Sequence, residues 1–333
     1  LKINKVCIVG CGAIGTWLGV RLSKANEITL SCLVRERSLA DIKTHGLRLD
    51  EGGHTLQAHP QFASDAQMLG PQDLVILAIK STSLLETVSQ LAPLIAENTC
   101  IWTAMNGVPW WFTQGLSHKV AGRRFKCLDP EGVIEKSIPL KHWLGGVVHA
   151  SSTLKSAGYA WHHFGQTLIL GEPEAPQSHE ASQRTQALNQ ILLNAGFDAR
   201  ISQNIQADIW YKLWGNMTMN PISALTGATT QEILQDTYLK DFATRVMLEA
   251  QSIGEQIGLP IHQTPEDRHA ITQKLGAIKT SMLQDLENHR PLELDALLGA
   301  VLELSQWCNV PAPFTQALMA LTRVKGRTMG LYH

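Results

Sequence analysis

Charge is scarce in this chain. Only 17% of its 333 residues are charged, and 28 Lys and Arg against 29 Asp and Glu leave a formal net charge of −1. A nucleic-acid surface shows as a basic excess, so this balance excludes that class of partner. Long apolar runs are missing too, and none approaches the ~20 residues that cross a bilayer as a helix. The six cysteines, Cys7, Cys11, Cys32, Cys100, Cys127 and Cys308, contain no C-x-x-C pair. They offer neither a disulfide framework nor a zinc ribbon. The thirteen histidines form no H-E-x-x-H, so no metal is expected. What is present is a 44% hydrophobic fraction, enough for a real core. The length suits about two domains. Composition therefore points to a soluble, cytoplasmic, two-domain enzyme or binding protein.

The first segment places an apolar run, residues 6–9, ahead of Gly10-Cys11-Gly12-Ala13-Ile14-Gly15. Lysines before an apolar stretch resemble a signal peptide, but the glycines interrupt the stretch and Arg21 and Lys24 close it. The better parse is a buried strand, a glycine turn and a helix over about 13–24. Gly10-x-Gly12-x-x-Gly15 is the dinucleotide fingerprint in its required context, between a strand and a helix. Gly10 permits the sharp turn, Gly12 lets backbone approach a pyrophosphate, and Gly15 lets helix and strand pack closely. The helix start offers free N–H groups to phosphate. The competing reading is an ordinary glycine turn of another α/β protein. A second strand over about 28–34 ends at Arg35-Glu36-Arg37. An acid at this place binds the ribose 2′-OH of NAD, whereas an arginine suits the 2′-phosphate of NADP. Arg35 therefore predicts NADPH. The alternative leaves Arg35 in solvent and gives the ribose to Glu36.

Further along, residues 46–59 read as a hairpin around Glu51-Gly52-Gly53, and 73–79 as a buried parallel strand with Lys80 at its carboxyl end. Residues 81–91 suggest a capped helix, and 99–103 a strand ending at Asn106-Gly107. An irregular stretch rich in apolar and aromatic residues, beginning Pro109-Trp110-Trp111-Phe112, runs to about 138. Strands follow at 145–150, 158–163 and 167–170, then a helix at 178–194. The basic run Arg123-Arg124-Phe125-Lys126 reads as a solvated loop. From about 204 onward nearly all periodicity is helical. The expected organisation is an NADP-binding Rossmann-type α/β domain over 1–203 and an all-helical substrate and catalytic domain over 204–333.

Within the helical part, Lys212, Asn216 and Asn220 recur every fourth residue and share one helix face. Ile209, Leu213 and Met217 form an apolar stripe beside them. Pro221 is expected to kink or end the helix just after Asn220. Two amides and an ammonium on one face can bind a carboxylate or hydroxyl and donate a proton. A solvent-facing polar stripe is the plain alternative. The neighbouring Trp210, Tyr211 and Trp214 favour a buried, functional face.

The ordered set of glycine turn, Lys80, Asn106-Gly107, the Lys212-x3-Asn216-x3-Asn220-Pro221 helix, Ser281-Met-Leu-Gln-Asp285 and Glu293-x-Asp295 resembles the ketopantoate reductase (2-dehydropantoate 2-reductase) family across nearly the whole chain. The resemblance implies a C-terminal domain similar to that of 6-phosphogluconate dehydrogenase. It implies that Lys212 is the general acid in reduction of a 2-keto acid and that Glu293 binds cofactor and helps hold the lysine. Asn106 would touch cofactor and substrate, and Asn216, Asn220 and Ser281 would hold the substrate. Gly10 to Gly15 (with Cys11, Ala13 and Ile14), Arg35, Lys80 and Ser151 would join Asn106 and Glu293 around NADPH. Such an enzyme reduces 2-dehydropantoate to pantoate on the route to pantothenate and coenzyme A. Reduction of another 2-keto acid, shaped by Trp110-Trp111, and a non-catalytic NADP(H) sensor are the alternatives. A homodimer is compatible with the helical domain.

Overall fold

The structure is a computed structural model and describes residues 2–25, 27–116, 119–174, 181–274 and 276–333. Contacts divide the chain into two units. One comprises Leu1–Met105 with Gly132–Asp208, and the other Asn106–Glu131 with Ile209–His333.

The first unit is built on a 10-stranded sheet. Its elements run β1 (Lys5–Val9), α1 (Ala13–Leu22), β2 (Thr29–Leu33), α2 (Glu36–His45), β3 (Leu47–Glu51), β4 (His54–Ala58), β5 (Gln61–Ala63), β6 (Leu74–Leu77), α3 (Leu84–Val88), β7 (Cys100–Thr103), α4 (Val133–Ser137), β8 (Trp143–Ser156), β9 (Tyr159–Gly171), α5 (Gln183–Asn194) and β10 (Asp198–Ile201). The strand order is β4-β3-β9-β8-β7-β6-β1-β2-β5, with β10 on β9. From β5 through β8 every pairing is parallel. That path, β5-β2-β1-β6-β7-β8, is the doubly wound order 3-2-1-4-5-6. It reverses between β1 and β6, where such sheets bind ligands. All residues of β6 and β7 are buried, as strands covered on both faces require.

The second half of the sheet departs from the sequence expectation. The separate strands expected at 145–150, 158–163 and 167–170 are one long antiparallel hairpin, β8 with β9. Irregular registers between His149 and Ser151 and beyond break the alternation without ending the pairing. Residues 81–91 form no capped helix. A 3-10 turn, Ser81–Ser83, leads into the short α3, whose start has no side-chain cap. The helix expected from 178 begins at Gln183, where the Ser182 side chain accepts from Thr185 N–H; residues 178–180 lie outside the described set. Packing on α1 explains its apolar character all round. Trp17 stacks on His162 at 5.1 Å and meets Phe197 edge-on at 4.8 Å. Arg21 closes this cluster with an ion pair to Glu51 at 2.7 Å.

The second unit holds most of α6 (Ile205–Thr226), then α7 (Thr230–Gln235), α8 (Thr237–Ile257), α9 (Pro265–Lys274), α10 (Ser281–Glu287), α11 (Ala300–Cys308) and α12 (Pro313–Thr328), with a π-helical turn at Asp295–Gly299 before α11. The helix α8 is central and packs against α7, α9, α11 and α12. The starts of α7 and α8 are capped: Thr229 and Glu232 form a reciprocal capping box, and Asp236 accepts from Leu239 N–H. Of the kink or end expected at Pro221, the end is excluded, since the proline lies inside α6. The ring removes one backbone bond. The next turn is nevertheless held by burial of Ile222, Ser223 and Ala224 and by the Ser223 hydroxyl donating to Ala228 O at 2.6 Å. Residues 106–131 group with these helices because their aromatic side chains bury there. Phe112 meets Trp210 at 6.1 Å, and Phe125 meets Trp307 at 5.1 Å. The basic run around Phe125 is solvated at Arg123, Arg124 and Lys126, while Phe125 itself is fully buried.

Gly146 of β8 lies tight against β7: a Cβ there would meet Thr103 O at 2.2 Å and Trp102 Nε1 at 2.5 Å. Overpacking of this kind costs about 1–3 kcal/mol. Gly146→Ala should therefore lower the thermal midpoint measurably by calorimetry, and an unchanged midpoint would show that the strands separate freely there.

Candidate active site

In the first unit, the turn after β1 has the backbone that its glycines demand. Gly10 has φ +92°, and a Cβ on it would meet Ile79 Cγ2 at 2.6 Å. A Cβ on Gly15 would lie 1.9 Å from Gly10 O, so α1 can pack on the turn only without one. Gly12, by contrast, has nothing within 4 Å of its Cβ position. It is the residue open to an approaching ligand, and it also caps α1 without a side-chain acceptor. Cys11 is buried, while Ala13 and Ile14 are half-buried in the first turn of the helix. The first helical N–H groups have no partner within the helix, which suits an anion.

Around this turn the strand ends carry two cations. Arg35, exposed at the end of β2, starts α2 and donates from Nη2 to Ser83 Oγ at 3.2 Å. Glu36, its rival for a ribose, occupies the first turn of α2 and is exposed. Lys80 follows β6, on the other side of the strand reversal. Ser151 lies elsewhere in the sheet, at the irregular part of β8 opposite Phe164. It is not on the strands that carry Gly10, Arg35 and Lys80.

The second unit gathers the other residues. Lys212 on α6 donates from Nζ to Asn106 Oδ1 at 2.6 Å. Burial lowers the lysine pKa from its ordinary 10.5 to about 8, with the Glu293 carboxylate pulling in the opposite direction. On the same face, buried Asn220 donates from Nδ2 to Ser281 Oγ at 3.3 Å. Ser281 opens α10, exposed, just after the capping Thr280. Asn216 lies between them, half-buried, with its amide making no side-chain hydrogen bond among the described residues. The apolar stripe of Ile209, Leu213 and Met217 is buried as expected. Among the described residues, no group of three or more His, Cys, Asp or Glu is placed to hold a metal ion. No helix among them is long and apolar enough to cross a membrane.

Family models match almost end to end. Residues 6–175 match Ketopantoate reductase PanE/ApbA, and 204–326 match its C-terminal domain. The chain belongs to the ketopantoate reductase family, which is a family of oxidoreductases. A 2-dehydropantoate 2-reductase of Mesorhizobium japonicum is 40% identical over 328 residues, covering 98% of this chain and 99% of that one. The crystal structure of a candidate ketopantoate reductase from Ralstonia solanacearum MolK2 is 44% identical, with a TM-score of 0.94 and coverage of 99% and 100%. The fold is shared with a D-mandelate dehydrogenase solved with NADH and anilino(oxo)acetate, at a TM-score of 0.83, 21% identity and coverage of 98% and 99%.

For this ketopantoate reductase family member, sequence reasoning passed over several residues beside the site. Arg268 lies over Gly215 of α6, whose Cβ would come within 2.6 Å of Nη2, and its guanidinium sits 5.0 Å from the Tyr211 ring centroid. A glycine inside a helix costs about 1 kcal/mol relative to alanine, and that was the available signal. Ala296 gave none. Gly107, at φ +86°, packs so closely that its Cβ would meet Ala296 Cβ at 2.6 Å, and Val108 N–H donates to Ala296 O at 2.8 Å. Asn106 is thus held by the segment that also carries Glu293.

The shifted lysine carries a stability prediction. Its folded pKa of about 8 lies below the ordinary 10.5, so the folded state disfavours the protonated form. That penalty is full below pH 8 and fades as pH rises toward 10.5. Lys212→Met should gain most in thermal midpoint relative to the parent near neutral pH, and the gain should shrink through that window. A difference independent of pH would contradict the shift.

Proposed function

We propose that this protein reduces 2-dehydropantoate to pantoate with NADPH, on the route to pantothenate and coenzyme A, with Lys212 as general acid. The observation that carries the reading is the half-buried Lys212, bonded to Asn106 with its pKa brought down to about 8. Family membership and the 40% identical 2-dehydropantoate 2-reductase support the substrate class. The open Gly12 position and exposed Arg35 fit a dinucleotide bearing a 2′-phosphate. In this assignment residues 1–203 serve the cofactor, with Ser151 and Lys80 among its contacts, and residues 204–333 serve the substrate and the acid–base step.

Bound NADPH would supply the hydride to the ketone carbon. The chain's own residues handle charge and protons. As negative charge builds on the ketone oxygen, the Lys212 ammonium stabilises it and transfers a proton from Nζ. A lysine near 8 gives up that proton more readily than an ordinary one, and Glu293 keeps enough of the population protonated at neutral pH. Asn106 orients the ammonium through its side-chain oxygen. The amides of Asn216 and Asn220 and the hydroxyl of Ser281 offer donors for the carboxylate and hydroxyl of the keto acid.

Two experiments test this. In a panel of 2-keto acids followed by NADPH absorbance, ketopantoate should turn over fastest. Faster turnover of another keto acid would replace the substrate, and binding without turnover of any would remove the activity. In the same assay NADPH should outperform NADH, with Arg35→Ala raising KM for NADPH alone; equal or better efficiency with NADH would end the NADPH assignment. Separately, Lys212→Ala should lower kcat by about 10²–10⁴-fold. The parent's rate should fall as pH rises past about 8, where the lysine loses its proton. Near-normal kcat in the variant would take Lys212 out of the mechanism.

A further inference from the structure

The segment bearing Glu293 also bears Asp295, a carboxylate used by none of the roles above. Asp295 opens the π-helical turn Asp295–Gly299, a wide and uncommon geometry. It needs something to hold it, and the chain following α12 does so. Leu292 N–H donates to Leu331 O at 2.9 Å, Leu331 N–H to Gly326 O at 2.8 Å, and the Tyr332 hydroxyl to Asp295 Oδ1 at 2.8 Å. Gly326 makes room for this return, since a Cβ there would lie 2.9 Å from Tyr332 Cβ. On the other side of the turn, Cys127 Sγ donates to Asp295 O at 3.8 Å.

The chemistry of the pair favours one arrangement. Burial and the neighbouring carboxylate push the Tyr332 phenol up, so it stays a donor. Burial also raises Asp295, the Tyr332 hydrogen bond opposes that rise, and Glu303, Arg323 and Cys127 complete its charged and titratable surroundings. One residue after Asp295, Ala296 O receives Val108 N–H at 2.8 Å, and its side chain abuts Gly107. Two residues before Asp295 is Glu293. Both groups that act on Lys212, the Asn106 side chain and the Glu293 carboxylate, are therefore set by one turn.

We propose that Tyr332, through its hydrogen bond to Asp295, is a positioning residue for Lys212. It locks the π-helical turn that places Asn106 and Glu293 and keeps water from the ammonium. The proposal rests on Lys212 being the proton donor, but its geometry can be read without catalysis.

The test compares Tyr332→Phe and Asp295→Asn with the parent in two measurements. One is the pH dependence of Lys212 acetylation by acetic anhydride, read by mass spectrometry without substrate. The other is kcat and KM in the keto-acid assay. In Tyr332→Phe the acetylation midpoint should move away from about 8, because the loosened turn changes the water, the Glu293 field and the Asn106 bond that set it. There kcat should fall roughly tenfold, as for a modest misplacement of a catalytic group. Asp295→Asn keeps an acceptor for the phenol and should retain both parent values. An acetylation midpoint unmoved in Tyr332→Phe overturns the proposal. If that variant does not fold, Asp295→Ala, which removes the acceptor, takes its place: a moved midpoint supports the proposal and an unmoved one overturns it. A parent that reduces no keto acid would sink the reductase reading while the acetylation result still decides the role of Tyr332.

Discussion

An ammonium removed from most of its water dominates the second unit. Burying a lone charge is expensive, so a buried lysine survives only by finding partners or by shedding its proton. Lys212 does part of each. Its hydrogen bond to Asn106 and the field of Glu293 hold the charged form, while burial brings the pKa down to about 8. The surrounding structure follows from that compromise. The apolar stripe beside it fixes α6 in the core, with Trp214 donating from Nε1 to Met247 O of α8 at 2.9 Å. Gly107 must be a glycine for Asn106 to arrive, and Val108 N–H is received by Ala296 O of the π-helical turn.

The first unit solves an anion problem by other means. With a net charge of −1 the chain carries no general attraction for phosphate, so any such attraction has to be local. In the proposed function backbone supplies it at the glycine turn, where the lack of side chains at Gly10 and Gly15 brings strand, turn and helix into contact and Gly12 stays open. Arg35 and Lys80, the cations that the proposed function assigns to the cofactor, follow β2 and β6, on either side of β1. One unit thus relies on the absence of side chains, and the other on the close control of one.

Local features were readable from the amino-acid order. The glycine turn, the apolar strands around it, the hairpin over Leu47–Ala58 and the Lys212 stripe depend on neighbours within a few residues, and spacing records these. The long hairpin was read as fragments because β-bulges interrupt the alternation that marks a strand. Pro221 was read as a kink or a stop because its ring costs the helix a hydrogen bond, and burial of the next turn carries α6 past it. The grouping of 106–131 with distant helices, and the reach of Tyr332 to Asp295, leave no periodic trace, because each joins segments far apart in the chain. The roles of the individual site residues rest on chemistry and resemblance rather than on spacing alone.

The excursion of residues 106–131 has a consequence for biogenesis. Trp111, Phe112 and Phe125 end fully buried in the unit whose helices begin with α6 at Ile205. During synthesis these rings emerge well before those helices exist. At about 5–20 residues per second they wait several seconds without their partners. Throughout that interval the nascent chain carries an unshielded aromatic segment between strands of a sheet already able to pair. The enzyme's yield in a cell is therefore tied to whatever shields that segment until α6 and α11 have been made.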